Sequence, residues 1–308
     1  MPQSSQATSP GAPARTRRAP ALRRSWLFLP GADRRVLEAA PDCGADVLIQ
    51  ELEDFTPPER RPEARALAAT LYPRWRAAGR LAAVRINPLE TEGLDDLAAV
   101  MRGQPDIVLM SKVAEPHQVV ALAEALLQQE YAVGIAAGTT ELVPNIESAR
   151  GLIQAYEIAT ASPRITGVVG STEDMVADLG APRSRGGEEL LYARQRLHME
   201  CTAARVVSID CPYTFADSEG AAADARLARS LGYISKSLVH PAHAAAVNAA
   251  MTPSSQEVQQ ARAMVVAFEA ARGRGEDRVE VAGLLVEMPS YLSAERLLAR
   301  ARALGVDG

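Results

Sequence analysis

The chain has 308 residues, of which 47% are hydrophobic and 23% are charged, which suits a folded protein with a large buried core. Its formal net charge of -5 and isoelectric point near 5.6 argue against binding to nucleic acid or to anionic membranes. No run is long and apolar enough to span a bilayer, and the three cysteines form no CxxC pair. We therefore expect a cytoplasmic protein without a disulfide framework or a zinc site.

Residues 1–24 differ in composition from the rest of the chain. They are rich in Ser, Ala, Pro and Arg and contain no acidic residue. Prolines at four positions would interrupt an amphipathic targeting helix, so we predict a disordered tail over residues 1–24.

From residue 25 onward, short apolar runs alternate with longer segments of helical period that are rich in Ala, Leu and Arg. Eight such runs occur, at residues 26–29, 47–52, 81–86, 107–110, 142–146, 165–169, 206–209 and 237–239. Their spacing of roughly thirty residues predicts repeated βα units and a single (β/α)₈ TIM barrel over residues 25–250, in the α/β class. Segment 131–140 is ambiguous and is either a loop or one extra strand.

A doubly wound open sheet is the alternative arrangement of parallel strands. It normally carries a glycine-rich phosphate-binding turn after the first strand. Here residues 29–33 read Leu-Pro-Gly-Ala-Asp, and the chain contains neither GxGxxG nor a P-loop motif. The sequence therefore favours the barrel.

Residues 251–308 form an extension beyond the eighth predicted strand. Segment 279–286 predicts a small β-hairpin that turns at Ala282-Gly283, and a last helix is predicted from about Ser293. We expect this extension to cap the barrel or to reach a neighbouring subunit.

Polar residues close almost every predicted strand, and in a (β/α)₈ barrel the reacting groups lie at the carboxyl ends of the strands. In strand order these residues are Glu51, Glu53 and Asp54; Arg85 and Asn87; Ser111 and Lys112; Asn145 and Glu147; Glu173 and Asp174; Asp210; and His240. Converging carboxylates would repel one another unless a cation joined them, and hard oxygen ligands select Mg²⁺, Mn²⁺ or Ca²⁺ over zinc.

Mg²⁺ usually takes one or two protein carboxylates and leaves positions for water and substrate, which suits Glu147 and Asp174. For any single acidic residue, a helix cap or a solvated loop charge is about as frequent a role. The recurrence of acids at strand ends favours the metal site.

Arg85 lies within an apolar strand, where its rigid guanidinium fork would fit a substrate carboxylate or an enolate oxygen. Lys112 either binds the same anion or forms a structural salt bridge. His240 either binds substrate or is satisfied by nearby backbone. No GxSxG motif or recognisable Cys–His pair supports nucleophilic hydrolysis.

Six segments together are similar to a known family. They are residues 24–31, 52–54, 84–87, 145–151, 173–180 and 240–241. Their order and spacing resemble the citrate lyase β-subunit branch of the HpcH/HpaI aldolase superfamily from about residue 23 to residue 253.

This resemblance implies a Mg²⁺ site, with Mn²⁺ as an alternative ion, at Glu147 and Asp174, and Arg85 bound to the carboxylate or enolate of the reacting acid. It also implies a homo-oligomer, commonly a trimer or hexamer. Relatives cleave or form citryl-CoA, malyl-CoA or citramalyl-CoA through a thioester enolate, so the substrates implied are an acyl-CoA and a 2-oxo acid.

Two positions depart from the family pattern. Relatives usually have Asp where this chain has Glu51, which leaves the catalytic acid or base after the second strand open among Glu51, Glu53 and Asp54. Relatives that act on CoA esters often place Asp in the C-terminal hairpin, where it serves a neighbouring site, and here Glu287 occupies that place.

Three functions remain open. The first is a Mg²⁺-dependent carbon–carbon lyase, or the reverse synthase, that acts on a 3-hydroxyacyl-CoA. The second is a CoA-independent aldolase that releases pyruvate from a 4-hydroxy-2-oxo acid, although that branch usually has a histidine at the position of Asp54. The third is a barrel that has lost catalysis and serves as a binding subunit, which the changes at Glu51 and Glu287 would explain.

Overall fold

A computed structural model of the chain describes residues 17–306. Eight parallel strands form one sheet, in which neighbours pair in the order β7-β6-β5-β4-β3-β2-β1-β8. They are β1 (Ser25–Pro30), β2 (Val47–Glu51), β3 (Leu81–Ile86), β4 (Ile107–Met110), β5 (Glu141–Ile146), β6 (Gly167–Gly170), β7 (Val207–Ile209) and β8 (Lys236–Leu238). A parallel bridge from Asp210 to Lys236 joins β7 to β8. The sheet is thus nearly closed, and the predicted (β/α)₈ barrel is confirmed.

Helices connect the strands and surround the sheet. They are α1 (Arg34–Ala39), α2 (Arg61–Ala77), α3 (Leu94–Val100), α4 (Pro116–Ala132), α5 (Ala149–Ile153), α6 (Ala155–Thr160), α7 (Glu173–Leu179), α8 (Leu191–Ala204), α9 (Ser218–Ser230), α10 (Ala244–Ala250), α11 (Ser255–Gly273) and α12 (Met288–Ala303). Several begin at a side-chain cap, as where Asp33 accepts a hydrogen bond from the Val36 amide. Within residues 17–306 no helix has the length and apolarity needed to cross a membrane. The cytoplasmic location stays a prediction.

The strand residues alternate between two buried layers. Trp26, Ile49 and Leu109 belong to a cluster inside the barrel. Their neighbours in sequence, such as Leu27 and Leu48, pack outward against the helices. Successive side chains of a strand point to opposite faces, so a residue two positions after an interior residue also points inward. This rule decides which strand-end side chains enter the barrel mouth.

The predicted tail boundary is corrected by the structure. Residues 17–24 are folded against the end of the barrel at which the strands begin, and Pro20–Leu22 form a short 3₁₀ helix. The buried Arg23 binds Glu141 at 2.8 Å, and Arg24 binds Asp46 at 2.9 and 3.0 Å. These ion pairs account for the order of the segment. Residues 1–16 lie outside the described residues.

Segment 131–140, all of it described, contains no strand. Helix α4 continues to Ala132, and a loop then wraps around the buried carboxylate of Glu130. That carboxylate accepts hydrogen bonds from the amides of Gly138 and Thr140, each at 2.8 Å, and binds Arg164. The loop therefore satisfies a buried charge and adds no ninth strand to the barrel.

The predicted C-terminal hairpin is present as strands β9 (Val279–Val281) and β10 (Leu284–Val286). Its two turn residues, Ala282 and Gly283, have φ values of 50° and 80°, as a two-residue hairpin turn requires. The prediction that the last helix starts near Ser293 is wrong, because α12 begins at Met288. Pro289 lies in its first turn, where a missing N–H costs nothing.

Helix α12 is anchored at the same end of the barrel as residues 17–24. Nη2 of Arg300 donates to the carbonyl oxygens of Ile234 and Met251, both at 3.0 Å, and Ile234 precedes β8. The last turns of α12 therefore lie where the strands begin. A role of the extension at a neighbouring subunit stays a prediction.

Candidate active site

Arg85 is the centre of an ion-pair network at the carboxyl ends of β2, β3 and β5. Its Nε donates to Glu51 at 2.9 Å, its Nη2 lies 3.1 Å from Glu53, and its Nη1 donates to Oε1 of Glu147 at 3.2 Å. Glu51, Arg85 and Glu147 each follow the inward-facing series of their own strand. The alternation of side chains along three strands therefore brings one cation and two carboxylates together, and Glu53, in the loop after β2, adds a third carboxylate.

The environment of Arg85 keeps it charged. Burial alone would lower the pKa of Arg85, but Glu51, Glu147 and Glu53 together raise it above the ordinary value. The rings of Phe28 and Phe55 lie 5.2 and 5.9 Å from its guanidinium carbon. Neither phenylalanine was singled out from the sequence, although Phe28 has the inward parity of β1.

Glu51 is fully buried and its carboxylate is already engaged. Besides Arg85, it accepts hydrogen bonds from the amides of Glu53 at 2.6 Å and of Phe55 at 2.5 Å. Glu51 thus holds the loop that follows β2, and this loop carries Glu53 and Asp54.

Lys112 contributes both its backbone and its side chain. Its φ of 55° is left-handed, and its amide donates to Oε2 of Glu147 at 3.2 Å. Its ammonium contacts Glu53 and lies 3.5 Å from Asp54, while the side chain stays 48% exposed. Of the two predicted roles, the structure shows the salt bridge.

Glu147 is buried, and its charged form is unfavourable there. Burial raises its pKa to about 8; Arg85 opposes this shift, whereas Asp174 and Glu53 add to it. Burial likewise raises the pKa of Glu53, although Lys112 and Arg85 oppose it. The negative charge of Asp174 acts on Glu147, as expected for acids that follow the neighbouring strands β5 and β6. Their joint role as metal ligands stays a prediction.

Asp174 lies in the first turn of α7, directly after β6, and is partly exposed. Its Oδ2 accepts a hydrogen bond from Ser171 at 2.9 Å. The sequence analysis did not identify Ser171 as part of the site. Its position directly after β6 and three residues before Asp174 could have indicated a hydrogen bond to that carboxylate.

The site as a whole has an excess of negative charge. Its carboxylates outnumber its cationic side chains; they are Glu51, Glu53, Asp54, Glu147 and Asp174, against Arg85 and Lys112. In the described part of the chain no three histidine, cysteine or acidic side chains form a complete metal-binding group. A Mg²⁺ ion would fit this donor set if Glu147 and Asp174 held it with oxygens from water and substrate.

Some predicted strand-end residues face elsewhere. Asp210 follows the inward-facing Ile209 and therefore points outward, where Arg194 binds it at 2.9 and 2.7 Å and Lys236 at 2.6 Å. This buried cluster lies between the barrel wall and the helices. Glu173 is exposed and lies 3.3 Å from Arg183.

His240 and Glu287 lie outside the Arg85 network. The Nε2 atom of His240 lies 3.3 Å from the carbonyl oxygen of Thr214, which is the backbone contact anticipated for it. Glu287 is exposed just before α12. Substrate binding by either residue stays a prediction.

Two curated relatives cover nearly the whole chain. The citrate lyase subunit beta of Haemophilus influenzae is 33% identical over 286 residues, which is 92% of this chain and 98% of the relative. The (3S)-malyl-CoA thioesterase of Cereibacter sphaeroides is 33% identical over 292 residues, which is 91% of this chain and 95% of the relative.

A solved structure shares the fold. It is the CitE protein of Mycobacterium tuberculosis in complex with magnesium, acetoacetate and coenzyme A, with a TM-score of 0.75 and 26% identity. The match covers 92% of this chain and 99% of that one. The model of the HpcH/HpaI aldolase/citrate lyase family matches residues 24–241. The predicted enzyme class, a carbon–carbon lyase, is confirmed by these matches, and the chain belongs to the HpcH/HpaI aldolase/citrate lyase family.

Proposed function

We propose that this chain cleaves or forms a carbon–carbon bond in a 3-hydroxyacyl-CoA such as malyl-, citramalyl- or citryl-CoA, with Mg²⁺ held by Glu147 and Asp174. The observation that carries this proposal is the excess of carboxylates around Arg85 at the carboxyl ends of the strands. The magnesium and coenzyme A in the solved CitE complex support it.

The ion fits the buried Glu147 in particular. A carboxylate whose pKa is raised to about 8 gains a favourable partner when a divalent cation arrives. When bound, Mg²⁺, or Mn²⁺ in its place, would supply a Lewis acid for the oxo oxygen of the substrate.

We assign to Arg85 the stabilisation of negative charge on substrate oxygen. Glu51 fixes its Nε and Glu53 lies beside its Nη2, so the guanidinium plane is oriented before substrate binds. A preorganised cation of this kind stabilises an enolate more than it stabilises the neutral thioester. The ammonium group of Lys112 would offset the negative charges of Glu53 and Asp54 and help to attract the anionic oxo acid.

Proton transfer falls to Glu53 or Asp54. In the lyase direction the base removes the proton of the 3-hydroxyl group, the bond between C2 and C3 of the acyl chain breaks, and an oxo acid leaves. The electron pair of that bond becomes the thioester enolate, which then takes a proton to give the acyl-CoA. Burial raises the pKa of Glu53, which makes it a stronger base than an exposed carboxylate and suits a group that accepts and returns a proton.

Thioester hydrolysis is a second candidate, favoured by the (3S)-malyl-CoA thioesterase relative. The two reactions differ in their products. Lysis gives an acyl-CoA and an oxo acid, whereas hydrolysis gives free coenzyme A and the intact hydroxy acid.

The test is incubation of the full chain and Mg²⁺ with malyl-, citramalyl- and citryl-CoA in separate reactions, followed by mass spectrometry of the products. We expect acyl-CoA and oxo acid from at least one thioester, and none of either when the metal is chelated. In a parallel reaction with a 4-hydroxy-2-oxo acid, release of pyruvate without turnover of any thioester would favour the aldolase. Titration calorimetry that detects binding of neither Mg²⁺ nor thioester would favour the non-catalytic barrel.

We also propose a homo-oligomer, a trimer or hexamer, in which Glu287 serves a neighbouring copy. The exposed apolar side chains of its hairpin and helix, Leu284, Leu285 and Met288, suit burial against another chain. This arrangement would bring the extension to a barrel mouth other than its own.

A further inference from the structure

Glu51 differs from Glu53 and Asp54, the two other acids after β2, in the way its carboxylate is engaged. Its side chain is fully buried. Its Oε1 accepts hydrogen bonds from Nε of Arg85 at 2.9 Å and from the Glu53 amide at 2.6 Å, and its Oε2 accepts one from the Phe55 amide at 2.5 Å. A buried carboxylate that already accepts three hydrogen bonds is poorly placed to take a proton from a substrate.

These three hydrogen bonds join two different parts of the candidate active site. Arg85 lies on β3 and is the cation assigned to charge stabilisation, whereas the two amides belong to the loop that carries Glu53 and Asp54. One carboxylate therefore sets the position of the proton-transfer loop relative to the guanidinium group. Catalysis depends closely on such positions, since a displacement of about 1 Å can lower a rate by about 10².

The backbone of Glu51 supports the same loop. Its carbonyl oxygen accepts a hydrogen bond from the Thr56 hydroxyl at 2.5 Å, and this hydroxyl accepts one from the Gly31 amide at 2.9 Å. A Cβ atom at Gly31 would lie 2.1 Å from that carbonyl oxygen, so the loop after β1 packs directly against this turn. The backbone of Glu51 thus secures the end of the loop, and its side chain secures the middle.

We propose that Glu51 is a positioning residue, which holds the proton-transfer loop against Arg85 and exchanges no proton with the substrate. This proposal rests on the proposed lyase function, and it leaves proton transfer to Glu53 or Asp54. Because all three donors to Glu51 belong to the protein, loss of its carboxylate would displace the loop and the guanidinium group from each other without removing either of them.

Three variants separate this role from a purely structural one. Glu51→Gln keeps one acceptor oxygen, but its NH₂ group would face an N–H donor, so at least one of the three hydrogen bonds is lost. Glu51→Asp keeps the charge and both oxygens but is shorter by one methylene group, so we expect a smaller effect. Glu130→Gln is the matched control, because Glu130 is a fully buried carboxylate at the opposite end of the barrel that also accepts hydrogen bonds from two amides and binds an arginine.

Hydrogen–deuterium exchange of the full chain, followed by mass spectrometry, tests the contact without any substrate. We expect residues 53–55 to exchange at least about threefold faster in Glu51→Gln than in the wild type, because their amides lose an acceptor. Glu130→Gln should instead accelerate the exchange of residues 138–140. If Glu51→Gln fails to fold, Glu51→Asp replaces it in this measurement and in the kinetics. Unchanged exchange at residues 53–55, or equal acceleration there in Glu130→Gln, would overturn the proposal.

Steady-state kinetics with Mg²⁺ and the CoA thioester that the wild type turns over fastest then test the effect on catalysis. We expect Glu51→Gln to lower kcat by roughly 10–100-fold and to change KM by less than about threefold, because positioning acts in the transition state. Glu51→Asp should lose less, and Glu130→Gln should melt at a lower temperature but keep the kcat of the wild type.

The kinetic outcomes distinguish this proposal from its alternatives. Unchanged kcat in Glu51→Gln, or an equal loss in Glu130→Gln, would overturn it. A loss of more than about 10³ in Glu51→Gln would also overturn it, because removal of the proton acceptor itself has an effect of that size. If the wild type turns over no thioester while residues 53–55 exchange as expected, the lyase function is refuted and the contact between Glu51 and the loop stands.

Discussion

The backbone amide of Lys112 lies 3.2 Å from Oε2 of Glu147 because Lys112 adopts a left-handed conformation with a φ of 55°. The other oxygen of Glu147 accepts a hydrogen bond from Arg85 at 3.2 Å. Both oxygens of the proposed metal ligand are therefore fixed by rigid donors from two neighbouring strands. Such supporting contacts orient a carboxylate before an ion binds.

The strained backbone of Lys112 can be tested by comparing Lys112→Gly with Lys112→Ala. Both variants lose the ammonium group, but only glycine enters the left-handed region without a steric cost, which is roughly 1–2 kcal/mol for other residues. We expect Lys112→Gly to melt roughly 2–4 °C above Lys112→Ala and to bind Mg²⁺ more tightly. Equal melting temperatures and equal affinities would show that this backbone conformation does not matter.

The raised pKa of Glu147 predicts a pH dependence of stability in the absence of metal. A carboxyl group whose pKa rises on folding, here from 4.5 to about 8, stabilises the folded chain while protonated. This contribution is full below the unfolded value and is lost as the pH rises through the folded one. Glu147→Gln mimics the protonated state. We therefore expect the melting temperature of the wild type to fall, relative to that of Glu147→Gln, as the pH rises from about 5 to about 9.

Mg²⁺ should reverse this difference at the alkaline end of the range. We expect the ion to raise the melting temperature of the wild type and to leave Glu147→Gln nearly unchanged, since the amide is a poor ligand for a hard cation. Scanning calorimetry with and without Mg²⁺ measures both effects. A variant stabilised by Mg²⁺ as much as the wild type would mean that Glu147 is not a ligand.

Asp174 and its neighbour Glu173 offer a matched pair for the metal assignment. Asp174 adds to the raised pKa of Glu147, whereas Glu173 is exposed and lies 3.3 Å from Arg183. We expect Asp174→Asn to weaken Mg²⁺ binding by roughly 10–100-fold and Glu173→Gln to leave it unchanged, as measured by calorimetry. Equal losses in the two variants would indicate a diffuse electrostatic effect without a defined site.

The strand-to-helix alternation was sufficient to predict the barrel and the strand ends that carry Glu147 and Asp174. Side chains alternate between the two faces of a strand, and the interior cluster shows which face points inward. This alternation explains why the side chain of Arg85 lies in the barrel mouth and that of Asp210 does not. The direction of the Asp210 side chain could not be predicted before the exact ends of the short strand β7 were known. A one-residue uncertainty in a strand end reverses the direction of a side chain.

Contacts between distant parts of the chain escaped the sequence for a different reason. The order of residues 17–24 depends on Glu141, which lies more than a hundred positions further along the chain. The loop at 131–140 folds around the single buried carboxylate of Glu130. Composition and local hydrophobic period do not identify partners that are far apart in the sequence. The structure of these two segments is determined by such tertiary contacts and could not be predicted from the local pattern.

Arg85 should be sensitive even to a conservative change. Arg85→Lys keeps the positive charge but removes the fork that contacts Glu51, Glu53 and Glu147 at once. We expect kcat/KM with the best CoA thioester to fall by roughly 10²–10³, the usual effect of losing one oriented donor to a developing oxyanion. Arg74→Lys, on the exposed face of α2, is the control and should keep full activity. A change in Arg85→Lys of less than about tenfold would place the anion site elsewhere.

Glu287 is exposed in the single chain, so its proposed role requires a neighbour, and complementation tests this directly. We expect Asp174→Asn and Glu287→Gln each to be nearly inactive alone. The two variants are then unfolded together and refolded at equal concentration. Each site would take Asp174 from one copy and Glu287 from its neighbour, so random assembly makes both residues intact at roughly one site in four. Activity should then recover to about a quarter of the wild-type value. Refolded wild type provides the reference, and full activity of Glu287→Gln alone, or no recovery in oligomers that contain both variants, would contradict this assignment.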